Sequence, residues 1–354
     1  MTDGSERELS EQVRAAAAAG QPLRLHGGDT KRFYGREVAG RALDLRGHAG
    51  VVSYEPTELV LTARGGTALS ELEALLDEHG QVLPFEPPHF APGATLGGAV
   101  ASGLAGPRRP WGGAPRDLVL GVKILDGHGK VLKFGGQVMK NVAGYDLSRL
   151  MAGALGTLGI LLELSVKVLP KPVCQETRVL ELDRDAALAR MRELANLPAP
   201  MTGAFHLDGR LYLRLAGNAT GVETWARQIG GEVGESTVWN QLRDHRLPYF
   251  APAVQGSRAL WRLSLPPATP RLSCEQESLL DWAGAQRWVY STTDPVALRD
   301  EVAGHGGHAT LFRGGSDPTP FHPLDRVRAR FHAGLKHTFD PHGIFNPGRM
   351  YADW

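Results

Sequence analysis

Apolar residues recur along the chain with two periods, and their order sets the first expectations. Over 5–19 the spacing is helical: Leu9, Val13 and Ala16 share a face, Ser5 and Glu8 stand at capping-box spacing, and Gly20 supplies a stop. A strand at 22–28 runs straight into two glycines. Residues 51–63 read as two short strands around Pro56. A helix over 67–79 places Leu69, Leu72, Leu75 and Leu76 on one stripe that ends at Gly80, and 81–85 is a further strand. Residues 118–136 form a hairpin around Asp126-Gly127. In 157–170, Leu162, Leu164, Val166 and Val168 alternate with Glu163, Ser165 and Lys167, the plainest strand of the chain.

Beyond Pro170 and Pro172 the texture changes. Strands are expected at 177–182, 202–207, 210–216, 258–265, 286–291 and 308–313. Helices are expected at 184–196, 221–229, near 275–284, 295–303 and 323–338. Strands neighbouring as hairpins and interleaved with helices predict an α+β layer with an antiparallel sheet. No internal repeat is visible. At 354 residues the chain exceeds the ~250–300 at which one core stops growing, so two domains are expected. They are 1–170 and 171–330, with a closing segment 331–354 that returns to the first.

Composition narrows the function. Thirty-nine basic residues face 38 acidic ones, a net charge of +1, which points away from nucleic acid or an anionic membrane surface. Cys174 and Cys274 are the only cysteines, so a disulfide scaffold, a cysteine zinc site and an iron–sulfur cluster held by this chain alone are excluded. The N-terminus is charged from its third residue and no run nears ~18 apolar residues, so neither a signal peptide nor a membrane span is read, and a cytoplasmic setting is expected.

Glycine is the informative excess: 27 of the 44 fall within residues 1–170. Gly127 and Gly129 start a G-x-G pattern, but Leu132 stands where the third glycine belongs, and no G-x-x-x-x-G-K-[ST] occurs, which argues against a Rossmann site and a P-loop. Three clusters remain. Gly27-Gly28-Asp29-Thr30-Lys31 follows a strand and can form an amide nest for an anion. In PGATLGGAVASG (92–103), small residues let backbone lie against a flat or charged ligand, and the segment can open a helix whose free amides attract phosphate. The third joins Lys140–Asp146, with Asn141 and Gly144, to Gly153–Ile160. Together they suit an elongated ligand with phosphates at its middle, as a flavin dinucleotide has.

PLRLHGGDTK, PGATLGGAVASG, APRDLVLGVKILDGHGKVLKFGG, KNVAGYDLSRLMAGALGTLGIL and the ending FDPHGIFNPGRM, in that order, resemble the vanillyl-alcohol oxidase family, the PCMH-type flavoprotein fold. That resemblance implies an α+β chain: a two-subdomain FAD-binding domain plus a smaller α+β cap with an antiparallel sheet. It implies FAD cradled at its pyrophosphate by Gly27, Gly28, Asp29, Thr30 and Lys31. Pro92, Gly93, Ala94, Thr95, Gly97, Gly98, Ala99 and Ser102 would run along the pyrophosphate and the flavin ring. Gly153, Gly156, Thr157, Gly159 and Ile160 would enclose the adenosine end, and Asn346 would lie near the ring. Relatives that attach FAD covalently do so through a histidine after the glycine pair; Asp29 holds that place here, so the flavin is expected to be non-covalent.

The segments LPFEPPHFAPGATLGGAVASGLAGPRRPWGGAPRD and FGGQVMKNVAGYDLSRLMAGALGTLG are similar, within that family, to the flavin-binding subunits of bacterial glycolate oxidases. The implied partners are a second flavin-binding subunit and an iron–sulfur subunit; the implied substrate is a small 2-hydroxy acid, glycolate or D-lactate. Peripheral attachment at the inner membrane face through partners is compatible with this. The alternatives are a non-catalytic flavin-bearing relay or scaffold and a stand-alone alcohol oxidase of the same fold.

Oxidising a 2-hydroxy acid needs a base for the hydroxyl proton and a cation for the carboxylate, a role that suits arginine's fork. The candidates are His245, Arg246, Arg313 and His322, with Arg243 and Tyr249 nearby in sequence. His305-Gly-Gly-His308 lacks an adjacent carboxylate, and no metal is expected. Arg108, Arg109 and Trp111 are candidates for a partner-docking loop.

Overall fold

A computed structural model describes residues 4–136, 146–315 and 319–353. The chain divides into two compact units: Met1–Leu104 with Ala114–Pro170 and Pro323–Trp354, and Ala105–Gly113 with Lys171–His322.

In the first unit, α1 (Gly4–Ala19) buries Leu9, Val13 and Ala16. Ser5 does not cap it; its hydroxyl pairs with His48 Nδ1 at 2.8 Å, and the helix already begins at Gly4. Strand β1 (Leu23–His26) pairs in parallel with β2 (Arg41–Asp44). A five-stranded antiparallel sheet contains β3 (Val51–Glu55), β4 (Val60–Arg64), β5 (Val119–Leu125), β6 (Val131–Gly135) and β7 (Ile160–Lys167), in the order β3-β4-β7-β5-β6. Helices α2 (Leu69–Glu78) and α3 (Leu96–Ser102) lie between β4 and β5 in sequence. At the β5–β6 turn, Asp126 Oδ1 accepts from the amides of His128 and Lys130, which is why Asp-Gly closes the hairpin. The core packs Leu9, Val13 and Leu23 against Leu125, Ile160 and Leu162, and Ile344 and Phe345 from the far end of the chain enter it.

The second unit is one eight-stranded antiparallel sheet. Its strands are β8 (Cys174–Glu181), β9 (Met201–Leu207), β10 (Arg210–Gly217), β11 (Glu232–Gly234), β12 (Leu260–Ser264), β13 (Glu277–Asp281), β14 (Gln286–Tyr290) and β15 (His308–Arg313). Spatial order is β11-β8-β10-β9-β13-β14-β12-β15. Read with α4 (Arg184–Ala195) and α5 (Ala219–Ile229), the first four strands form a β-α-β-β-α-β motif in the order 4-1-3-2. The last four repeat it in mirror order, with α7 (Pro295–Gly304) as the second helix; α6 (Val238–Arg243) lies in the link. The repeat's first helix is missing.

That gap falls at 265–276. The helix expected near 275–284 is not there: Glu277–Asp281 is a central strand with Leu279, Leu280 and Asp281 buried. The loop is instead braced from within. Fully buried Glu275 pairs with Arg184 and with fully buried Arg287, which also donates to the carbonyls of Thr269, Pro270 and Gly284.

Segment 105–113 belongs to this second unit. Arg109 lies over the Trp282 ring at 4.5 Å, Trp282 Nε1 donates to Gly106 O at 3.0 Å, and Trp111 packs on the Ala187–Leu194 core. Arg109 and Trp111 thus pack within this unit and are half-buried. Helix α8 (Arg326–Phe339) groups with the first unit, so the second ends at His322 rather than at 330.

Removing one member of a buried ion cluster strands the others. Glu275→Ala is expected to lower the unfolding free energy by about 3–5 kcal/mol, read as a drop in the urea midpoint.

Candidate functional site

Strand β1 ends at His26, and the next two residues can only be glycine. A Cβ on Gly27 would strike the Thr95 hydroxyl, and one on Gly28 would overlap the Gly93 carbonyl. Here two loops touch backbone to backbone. Gly93 itself takes φ +85°, and Asp29 follows at φ 56°. Among the described residues, the N–H groups of Gly28, Asp29 and Thr30 donate to no protein acceptor. Successive open amides around a left-handed residue make an anion nest. The Asp29 carboxylate, which would repel an anion, is neutralised by Arg24 Nη1 at 2.8 and 3.1 Å.

The amides opening α3 are closed, against expectation. Leu96 N donates to Thr67 O, Gly97 N to Gly65 O, Gly98 N to the Thr95 hydroxyl and Ala99 N to Thr95 O. No donor is left there for a phosphate, and the open amides are those of the Gly28–Thr30 loop. Gly97 is required because its backbone lies on that of Gly65, 2.8 Å from a would-be Cβ to Gly65 O.

Around these elements runs one cleft with two lobes. The outer lobe, about 700 Å³, carries Arg24, Lys31, Arg32 and Arg349 beside the open amides. The inner lobe, about 450 Å³, is walled by Leu25, Leu45, Ile160 and Leu161 and by glycine backbone at 65, 97, 98, 156 and 159. Leu25, Gly27, Thr95, Ala101, Leu155 and Asn346 line both. A cationic mouth with unused amides, continuing into a narrow apolar slot with glycine walls, fits an elongated dinucleotide with a flat apolar ring system.

Of the residues singled out in the sequence, Gly27, Gly28, Asp29, Thr30, Lys31, Thr95, Gly98 and Ser102 line the outer lobe, and Gly97, Gly156, Gly159 and Ile160 the inner one. Asn346 faces both. Pro92, Gly93, Ala94 and Ala99 are absent from the lining of either lobe, as are Gly153 and Thr157. Gly103 and Gly153 touch backbone to backbone, and the Thr157 hydroxyl donates to Ala154 O at 2.7 Å. Asn141 and Gly144 lie outside the described residues. Sequence reasoning missed Arg24 and Arg349; the second was in plain view in N-P-G-R.

The candidates of the second unit sort into two groups. Arg246 is mostly exposed and pairs with Asp244 at 3.3 Å; Arg243 takes the same carboxylate at 2.9 Å. Arg313 and Arg262 act electrostatically on His245, while Arg262 and His322 act on His308. His245 occupies the αL position after α6, with φ 55°, where the amides of His245 and Arg246 close back on Leu242 O and Gln241 O. Its ring stacks on Phe250 at 3.9 Å and stands edge-on to Trp288 at 4.5 Å. Burial, then Arg313 and Arg262, push its pKa well below 6.5, so the imidazole is neutral. Arg313 is pulled down to about 10 by its own burial and stays charged. Tyr249 serves the fold, donating to Trp288 O at 2.8 Å. His322 Nδ1 accepts from Ala309 N at 3.5 Å. Among the described residues no group of three or more metal-ligating side chains converges.

Comparison with known proteins agrees with the cleft. The family model of an FAD binding domain matches residues 3–135, and FAD is the cofactor of this chain. The solved structure of an alkyldihydroxyacetonephosphate synthase superposes with a TM-score of 0.68 over 96% of this chain and 75% of its own, at 16% identity, which gives the same fold. These define the class, an FAD-binding chain with the PCMH-type fold.

Within it, glycolate oxidase subunit GlcE of Escherichia coli (strain K12) is 47% identical over 345 residues, 98% of this chain and 97% of that protein. The chain belongs to the GlcE family. Glycolate oxidase subunit GlcD of Bacillus subtilis (strain 168) is 32% identical over 36% of this chain and 27% of its own length. The mitochondrial D-lactate dehydrogenase [cytochrome] of Arabidopsis thaliana is 30% identical over 46% and 29%.

Two outcomes follow. Gly28→Ala cannot keep its approach to Gly93, and purified protein is expected to lose most of its bound FAD, measured as the ratio of flavin to protein absorbance. His245 binds a proton in the unfolded chain below about 6.5 but not in the folded one, so it lowers stability as pH falls, by at most about 1.4 kcal/mol per pH unit. His245→Phe should flatten the fall in melting temperature between pH 7 and 5.

Proposed function

We propose that this chain is an FAD-carrying subunit of a glycolate oxidase, acting in the conversion of glycolate to glyoxylate. The cleft carries the reading: open amides at Gly28–Thr30, a cationic mouth and a glycine-walled apolar slot on a chain of the GlcE family. The amides of Gly28, Asp29 and Thr30, with Lys31, hold the pyrophosphate; the slot between Leu25, Gly97 and Ile160 takes apolar ring surface. With Asp29 tied to Arg24 where a covalent histidine would stand, the flavin is held without a bond to protein.

Glycolate becomes glyoxylate by losing two electrons and two protons, and FAD, when bound, is the acceptor of the electron pair. In this chain Arg313 and Arg262 suit the substrate carboxylate, since both are cationic beside neutral His245. His322 is half-buried where His245 is buried, and we assign it the hydroxyl proton. Arg246 takes no part, being tied to Asp244 on the surface.

Electrons leave through partners, a second flavin subunit and an iron–sulfur subunit; this chain, with two cysteines, has no cluster ligands of its own. Among the described residues no helix is long and apolar enough to cross a membrane, so attachment at the inner face of a membrane would be peripheral and through partners. A second reading, a flavin-bearing relay without a substrate site, is favoured by one observation: His245 is enclosed by Phe250, Trp288 and Phe312.

The FAD-loaded chain, mixed anaerobically with glycolate, is expected to bleach at its visible flavin band. Arg313→Met should slow bleaching at least tenfold while leaving bound flavin unchanged. An unbleached wild-type spectrum would assign the chemistry to the partner and leave this chain as the relay.

A further inference from the structure

The segment FDPHGIFNPGRM reaches the cleft through Asn346 and Arg349. Asn346 is buried, with φ 41°, a left-handed conformation that asparagine tolerates best among residues with a Cβ. Its Oδ1 accepts from Leu25 N at 2.8 Å and its Nδ2 donates to Leu155 O at 2.8 Å. Leu25 lies on β1, just before the glycine pair; Leu155 lies on the loop that opens β7. Both line the two lobes, and so does Asn346. The side chain is a tie between opposite lips of the cleft, with each end of its amide on a backbone group.

Neighbouring residues anchor that tie. Lys336 Nζ donates to Thr157 O at 2.9 Å, to Phe345 O at 2.8 Å and to Asp340 at 2.6 Å. Asp340 in turn accepts from the amides of Ile344 and Phe345. Arg349 donates to the carbonyls of Arg36, Lys31 and Arg32, on the loop that follows the nest. One short stretch therefore grips three walls of the site.

We propose that Asn346 is a positioning residue for FAD, setting the separation of the β1 and 155–157 lips rather than bonding the cofactor. The proposal rests on the FAD reading of the cleft. Asn346→Ala removes both ties; Asn346→Asp keeps the acceptor for Leu25 N and turns an oxygen toward Leu155 O. Apo full-length chains are titrated with FAD, following quenching of flavin fluorescence, and the visible circular dichroism of the bound flavin is recorded.

Wild type is expected to bind FAD. The Ala variant should lose at least tenfold in affinity, with the Asp variant between, and the flavin's dichroic band should change shape in whatever remains bound. The apo unfolding midpoints should stay close together. An Ala variant within about threefold of wild type with an unchanged dichroic band would overturn the proposal. So would affinity falling only in step with apo stability, which marks a residue that merely holds the fold. Should the Ala variant fail to fold, the Asp variant decides by the same criteria. A wild-type chain that binds no FAD would sink the cofactor reading instead.

Discussion

Two backbones meet at Gly28 and Gly93, and the first unit is arranged around that meeting. Because Gly28 cannot carry a Cβ, β1 can approach the loop before α3; because it approaches, the Thr95 hydroxyl sits against Gly27 and caps Gly98. The consequence is a division of labour that glycine content alone does not reveal. The PGATLGGAVASG amides face inward and satisfy Gly65, Thr67 and Thr95, while the unsatisfied donors are those of Gly28, Asp29 and Thr30.

The second unit shows a different economy. Its two halves share one topology, and the half without its first helix replaces it with a loop held by Arg184, Glu275 and Arg287. A helix satisfies its own backbone; a buried loop must borrow donors, and Arg287 supplies them to Thr269, Pro270 and Gly284. The triad is therefore best understood as a substitute for secondary structure.

Much of this was legible in the sequence, where local periodicity decided it. The alternation of Leu162, Leu164, Val166 and Val168 marked β7, and Asp126-Gly127 marked the β5–β6 hairpin. Strand β13 was misread as helix because Leu279, Leu280 and Asp281 are all buried, so a central strand covered on both faces shows no alternation. Strand β2 buries only Leu43 and leaves no pattern. Residues of the glycine clusters line the cleft, yet which glycines face it and which meet backbone is a long-range property. Gly28 against Gly93 and Gly103 against Gly153 are spaced by tens of residues. Arg24 was invisible for the same reason: its importance lies in Asp29, whose charge it cancels. The doubled sheet of the second unit left no trace in residue identity, since only hydrogen-bond order repeats.

Ile344 and Phe345 are core residues of the unit that begins at α1. In the order of synthesis they come after the whole of 171–322. The second unit is contiguous there apart from 105–113, already made, and can fold while translation continues. The first cannot complete its core until Ile344 and Phe345 have been made. A chain cut before Ile344 would keep every residue of the second unit and leave the first unfinished, with the edge of β1 bare where Phe345 pairs with Leu23.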